Sequence, residues 1–308
     1  MPHDLIRGIL KNNHGSISKA ITLIENNQTP LEPFLSDIHE NSCDAIRIGI
    51  TGPPGAGKST LTNSLIESCL ANDKTVGVIA VDPTSPFTGG ALLGDRVRMN
   101  KYVWDNRVFL RSMGSHCNLG GLSSKVQEVG DVLAASGKDF IFFETVGVGQ
   151  GEHDIINVAD ISIVVLVPES GDEIQLMKAG LIEIADIFVI NKSDREGANR
   201  IAAILKNILH IFKPQNKLEP PVFNTIANRN EGVVELFNGI GSYFDLIKNE
   251  GILEIRRLER YRKRVYNLIR TRLEDSFWDS DKIDQLNQST KSLDRTTDAP
   301  HIIAKTLF

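Results

Sequence analysis

Apolar residues recur along this chain in short, strand-sized runs, and between the runs they recur at helical spacing. Strands are expected at 46–51, 76–82, 107–111, 140–145, 161–167, 186–191 and 221–225, and helices near 58–71, 123–136, 173–183, 196–212 and 232–246. Several strands are apolar without interruption, as in the run from Ile161 to Val167. A strand of that kind has no solvent face, so it belongs to a parallel sheet covered on both sides. The alternation of strand and helix predicts an α/β fold, a three-layer sandwich around a mostly parallel sheet.

The two ends of the chain read differently. Leu5, Ile6, Ile9 and Leu10 fall at helical spacing, as do Ile17, Ala20, Ile21 and Ile24, with Asn12 to Gly15 as a break between them. Residues 1–43 are therefore expected to be a helical extension of two short helices outside the core, with Thr29 to Pro33 as a linker. The sheet-bearing domain is expected over 44–248. From 249 to 308 the pattern predicts a helical arm and tail. Leu258, Tyr261, Val265 and Leu268 form the apolar stripe of one long helix, roughly 250–276, and a shorter helix is expected at 280–292. Ser292 to Pro300 reads as loosely ordered.

The chemistry begins where the first strand ends. Gly52-Pro53-Pro54-Gly55-Ala56-Gly57-Lys58-Ser59-Thr60 stands between a strand and a helix, and G-x-x-x-x-G-K-[ST] in that setting is a P-loop. Glycines allow successive backbone N–H groups to turn onto a phosphate, and the helix beginning near Lys58 aims its positive end at the same anion. Lys58 is placed to reach the β- and γ-phosphates, and the Ser59 hydroxyl to ligate Mg²⁺.

Asn191-Lys192-Ser193-Asp194 closes another apolar strand. An Asp there can accept from the N1–H and the exocyclic amine of guanine, whereas adenine would leave that carboxylate unpaired. The expected nucleotides are thus GTP and GDP. Asp82 and Glu144 end two further strands, where a carboxylate can hold Mg²⁺ directly or through water. A long loop over 83–100 reads as a switch segment, with Asp95 turned toward metal and water and Arg96 and Arg98 available to phosphate or a partner. Asp95 and Glu144 are candidates to position the attacking water, and Gln150 is a further one.

Composition narrows the setting. In 308 residues, 34 Lys and Arg stand against 39 Asp and Glu, so the net charge of −5 argues against a nucleic-acid binder. No apolar run has membrane-spanning length, and the N-terminus lacks the charge and apolar pattern of a signal peptide. Cys43, Cys69 and Cys117 are scattered and odd in number, which suits a reducing cytoplasm.

Taken together, Gly52 to Thr60, Val81 to Ser85, Gly89 to Arg96, Arg111 to Ser115, Glu144 to Gln150, Gly171 to Glu173 and Asn191 to Asp194 resemble the MeaB/ArgK family of P-loop GTPases, called MMAA in animals. The resemblance runs from roughly residue 5 to 275. It implies a homodimeric, slow GTPase acting as chaperone for an adenosylcobalamin-dependent acyl-CoA mutase, usually methylmalonyl-CoA mutase, with GTP gating the loading and repair of the cofactor. It also implies that Lys58, Ser59, Asp82, Asp95 and Glu144 surround Mg²⁺ and the γ-phosphate, and that Asn191, Lys192 and Asp194 read guanine. By the same resemblance, Ile226-Ala227-Asn228 touches the base from its other side, Gly171 to Lys178 signals to the mutase, and the C-terminal helix is the dimerisation arm. Other readings are a GTPase that delivers nickel, a P-loop kinase, and a GTP-dependent interaction module without turnover. The first has only His116, Cys117 and His153 as tempting ligands, without the paired spacing that a soft metal needs.

Overall fold

The structure, a computed structural model, describes residues 2–26, 31–83, 101–102, 104–115, 125–145, 155–170, 181–212, 218–290 and 299–308. Its centre is a sheet of β1 (Ile46–Thr51), β2 (Val76–Pro83), β3 (Val108–Ser115), β4 (Phe140–Thr145), β5 (Ile161–Leu166), β6 (Ile187–Asn191) and β7 (Val222–Thr225). The spatial order is β3-β2-β4-β1-β5-β6-β7, and all its pairings are parallel. The chain leaves β1 toward β2 and β3 on one side and later fills β5, β6 and β7 on the other. The carboxyl end of β1 is therefore the topological switch point, where such sheets bind ligands.

The strands read as continuous apolar runs because both sheet faces are covered. Along β4 the residues alternate between two buried clusters. Phe140 and Phe142 face one, and Ile141 and Phe143 face the other. In β5, Ile161, Ile163 and Val165 join the first cluster, while Val164 and Leu166 face a third. The first cluster is completed by α4 (Lys58–Ala71) through Leu61, Leu65 and Ile66, and by the helix Val233–Asn249 through Leu236, Ile240 and Ile247.

The opposite face carries a finding that sequence reading had partly missed. Residues before β1 form α1 (Pro2–Leu10), α2 (His14–Glu25) and a third helix, α3 (Leu31–Glu40). Ile9, Ile17, Ile21, Ile24, Phe34 and Ile38 are buried in one cluster with Val129, Val132 and Leu133 of α5 (Val126–Ala135) and with β4. These helices are a layer of the sheet's own core rather than an appendage. Arg111 of β3 donates to the Glu25 carboxylate, and Lys125 at the start of α5 donates to the Glu25 carbonyl, which fixes the end of α2 to the sheet edge.

Contacts divide the chain into two compact units, Met1–Leu253 and Glu254–Phe308. The helix Ile252–Phe277 begins at the end of the first, and no helix among the described residues is long and apolar enough to cross a membrane. In the second unit the helices Ser280–Ser289 and Pro300–Leu307 follow. Phe277 holds them together, with Phe308 stacked at 5.5 Å and the Lys282 ammonium 5.2 Å from its ring centre. The last helix lay beyond the elements expected from sequence. Pro300 stands at its first turn, where the missing N–H is harmless.

One buried cation near α5 has a consequence for stability. Lys138 is fully buried, and its ammonium donates to the carbonyls of Arg107 at 3.3 Å and Asn106 at 3.4 Å. Burial pushes its pKa down from 10.5 to about 8. The ammonium is thus disfavoured by roughly 3 kcal/mol in the folded chain below pH 8. Between about pH 8 and 10.5 the unfolded chain binds more protons than the folded one, so stability from this group rises with pH. Lys138→Met removes the charge at the expense of two long hydrogen bonds, and is expected to stabilise at pH 7 by about 1–2 kcal/mol. Urea unfolding at pH 7 and pH 10 checks this, because the advantage should vanish or reverse at the higher pH.

Candidate nucleotide site

β1 delivers the chain into the loop from Gly52 to Gly57, and α4 begins at Lys58. Gly52 has φ +139°, and a Cβ there would lie 2.1 Å from the Val165 carbonyl oxygen of β5. Gly57 has φ +86°, and its Cβ would lie 2.4 Å from the Asn191 amide nitrogen. At both positions backbone conformation and neighbouring atoms admit glycine alone. The loop consequently packs directly on β5 and on the end of β6.

Lys58 is buried, with its ammonium donating to the Gly52 carbonyl at 2.8 Å and the Pro53 carbonyl at 3.1 Å. The charge is thus fixed across the loop in front of the first amides of α4, where the helix dipole also favours an anion. Ser59 donates its hydroxyl to Glu144 Oε1 at 2.5 Å. Glu144 is buried at the end of β4, in register with Ile50 of β1. Beyond it the Thr145 hydroxyl donates to that of Thr51 at 2.9 Å, tying the carboxyl ends of β4 and β1 together. A hydroxyl and a carboxylate at a helix N-terminus are hard oxygen donors of the kind that Mg²⁺ takes, so the residues present fit that ion.

The second half of the site comes from the ends of β6 and β7. Asn191 donates to the Ala56 carbonyl at 2.9 Å, and its Oδ1 accepts from the Ala227 N–H at 3.1 Å and the Thr225 hydroxyl at 3.2 Å. One buried amide thereby joins the P-loop to the loop after β7. Lys192 reaches back to donate to the Gly55 carbonyl at 2.8 Å. Its backbone has φ +55°, a left-handed conformation that costs a non-glycine residue about 1 kcal/mol and is held by these surroundings. Asp194 projects beyond, half exposed. Across from it Ile226 bridges to Glu231, and Ala227, Asn228 and Arg229 make a single tight turn.

The structure therefore brings together Gly52 to Thr60, Glu144, Asn191 to Asp194 and Ile226 to Asn228 at the carboxyl ends of β1, β4, β6 and β7. Asp82 lies at the end of β2, with its backbone opposite Gly114, and its side chain is outside the described residues. Asp95, Arg96, Arg98, Gln150, the segments Gly89 to Arg96, Val146 to Gln150 and Gly171 to Lys178, and His116, Cys117 and His153 also lie outside them.

Residues that sequence reading did not single out complete the frame. Ser64 donates to the Ala227 carbonyl at 2.8 Å. Three positions later Glu67 accepts from the Asn230 amide at 2.8 Å with one carboxylate oxygen and from Lys101 with the other. The hydrogen bond from Lys101, foremost, holds the Glu67 carboxyl below its ordinary pKa. The i, i+3 spacing of Ser64 and Glu67 is the one sequence signal they give, marking a single face of α4.

Comparison with known proteins gives the family and supports the fold. The family described as methylmalonyl-CoA mutase-associated GTPase MeaB matches residues 17–282. A protein of Pyrococcus abyssi named as a GTPase is 44% identical over 274 residues, covering 88% of this chain and 83% of its own. The mouse protein named methylmalonic aciduria type A homolog, mitochondrial, is 31% identical over 291 residues, covering 89% of this chain and 70% of its own. A crystal structure of a LAO/AO transport system kinase superposes with a TM-score of 0.73 at 23% identity, covering 99% of this chain and 96% of that one, which supports the fold. The chain is a P-loop GTPase that binds guanine nucleotide, and it belongs to the MeaB family of methylmalonyl-CoA mutase-associated GTPases.

Proposed function

We propose that this GTPase is a chaperone for an adenosylcobalamin-dependent acyl-CoA mutase of the methylmalonyl-CoA type, and that its GTP cycle gates loading of the cofactor and rescue of the mutase. The observation that carries this reading is the family match over residues 17–282, whose description names the mutase association. The name of the mouse relative points to the same metabolism. On this reading the protein works in the cytoplasm as a homodimer. The helix Ile252–Phe277 suits a dimerisation arm, since it exposes Ile255, Leu258, Val265, Leu268 and Ile269.

In the proposed site, Lys58 and the amides that open α4 hold the β- and γ-phosphates of GTP and stabilise charge as water attacks in line. Ser59, Glu144, Asp82 and Asp95 would hold Mg²⁺, which would supply positive charge to neutralise phosphate oxygens. Asn191 keeps the P-loop and the Ile226–Asn228 loop at a fixed separation, Lys192 covers the base plane, and Asp194 reads the guanine edge. Asp95 and Glu144 are the groups proposed to orient the attacking water.

The test is co-purification with an adenosylcobalamin-dependent methylmalonyl-CoA mutase, with phosphate release measured in the same sample. The expected result is retention with a non-hydrolysable GTP analogue, loss of retention without nucleotide, turnover raised by the mutase, and light scattering at twice the chain mass. Turnover unmoved by the mutase, with no nucleotide-dependent retention, overturns the chaperone reading. Transfer of labelled γ-phosphate to an acceptor other than water would replace it with a kinase.

A further inference from the structure

The loop after β7 is held at both of its ends. Its start is fixed by Asn191 on the Ala227 N–H at 3.1 Å and by Ser64 on the Ala227 carbonyl at 2.8 Å. Its end is fixed by the Asn230 amide on Glu67 at 2.8 Å, with Asn230 itself left-handed at φ +58°. Between these anchors stands Arg229, one residue past the stretch that sequence reading assigned to the base. Its guanidinium lies 4.0 Å from Asp194 Oδ2, with Arg229 well exposed and Asp194 about half exposed. At that distance the guanidinium biases the carboxylate by charge without occupying the lone pairs that a base edge would use.

Recognition of guanine by one carboxylate requires both oxygens to lie in the plane of the base. An exposed aspartate samples several rotamers, and binding must select one of them. A cation carried on an anchored backbone turn to one side of the carboxylate favours rotamers that face it before the nucleotide arrives. We propose that Arg229 is a specificity-determining positioning residue that holds Asp194 in the attitude that reads guanine. The inference rests on the guanine reading of Asp194, and it assigns the Ala227–Arg229 turn a task beyond covering the base: it carries the orienting charge.

Arg229→Ala, Arg229→Gln and Arg229→Lys test it, with KM and kcat measured for GTP, ITP and ATP. ITP lacks the exocyclic amine, so it draws on one of the two carboxylate hydrogen bonds. In Arg229→Ala and Arg229→Gln the KM for GTP is expected to rise about two- to five-fold, in keeping with an exposed ion pair. The KM for ITP should rise less, narrowing the GTP preference, and the effect should fall on KM and not on kcat. Arg229→Lys should restore part of the preference, since it keeps the charge without the planar fork. Melting temperatures within about 2 °C of the wild type are expected for an exposed position. Unchanged KM and preference, or an equal rise for all three nucleotides, overturns the proposal. Asp194→Asn separates its failure from that of the parent reading. If Asp194→Asn switches base preference while the Arg229 variants do nothing, only the role of Arg229 falls. If Asp194→Asn leaves GTP untouched, both fall.

Discussion

Lys58→Ala is expected to reduce turnover of GTP by about 10²–10³-fold and to weaken nucleotide binding at the same time. The cause is the position of the ammonium. It is buried and pinned between the Gly52 and Pro53 carbonyls, in the loop that leads into the N-terminus of α4. A phosphate entering there meets a positive charge that is already desolvated and needs little reorganisation, which is the condition for strong electrostatic stabilisation. Removing the side chain leaves two carbonyl oxygens facing the loop, an arrangement that repels the anion. Lys58→Arg should not rescue activity, because a planar fork cannot take the place of a compact point charge between these two carbonyls. Phosphate release and nucleotide titration on the purified variants decide the matter. Turnover like the wild type in Lys58→Ala would remove Lys58 from the mechanism.

Those parts of the fold whose cause is local could be read from the chain. The strands could be read because a sheet covered on both faces imposes unbroken apolar runs, and β4 shows the cause directly in its alternation between two buried clusters. α3 escaped because Pro30 and Pro33 suggested a linker. Pro33 is in fact the third residue of a helix that starts at Leu31, where its missing N–H would have had no partner anyway. The role of the N-terminal helices escaped as well. Their apolar stripes show that they bury a face, but no spacing says against what, and the answer is α5 and the sheet.

The site divides in the same way. The P-loop and Asn191 to Asp194 are contiguous, so geometry and sequence coincide there. Ser64, Glu67 and Thr145 act across the fold, on Ala227, on Asn230 and on Thr51. A lone serine on a helix carries no mark of such a partner. Glu67 shows how far this extends, since its two oxygens join the turn near the base site to Lys101, just after residue 100.

Asp194→Asn is expected to weaken GTP by about 10²–10³-fold and to bring in xanthosine triphosphate as the better substrate. Asp194 offers two acceptor oxygens and a negative charge to an edge with two donors, the N1–H and the exocyclic amine of guanine. Each charge-assisted hydrogen bond contributes about 1.5–3 kcal/mol, and exposure of the side chain keeps the total toward the lower end of that range. An asparagine replaces one acceptor with a donor. It then opposes a donor of guanine with a donor of its own, while xanthine presents an oxygen at that place and is satisfied. The frame around the position should survive the change, because Asn191, Lys192 and the N–H of Ser193 on the Thr225 carbonyl at 3.1 Å hold the loop without Asp194. The variant therefore tests recognition apart from folding. Steady-state kinetics with both triphosphates give the answer as a ratio, and an unchanged affinity for GTP would mean that guanine is read elsewhere.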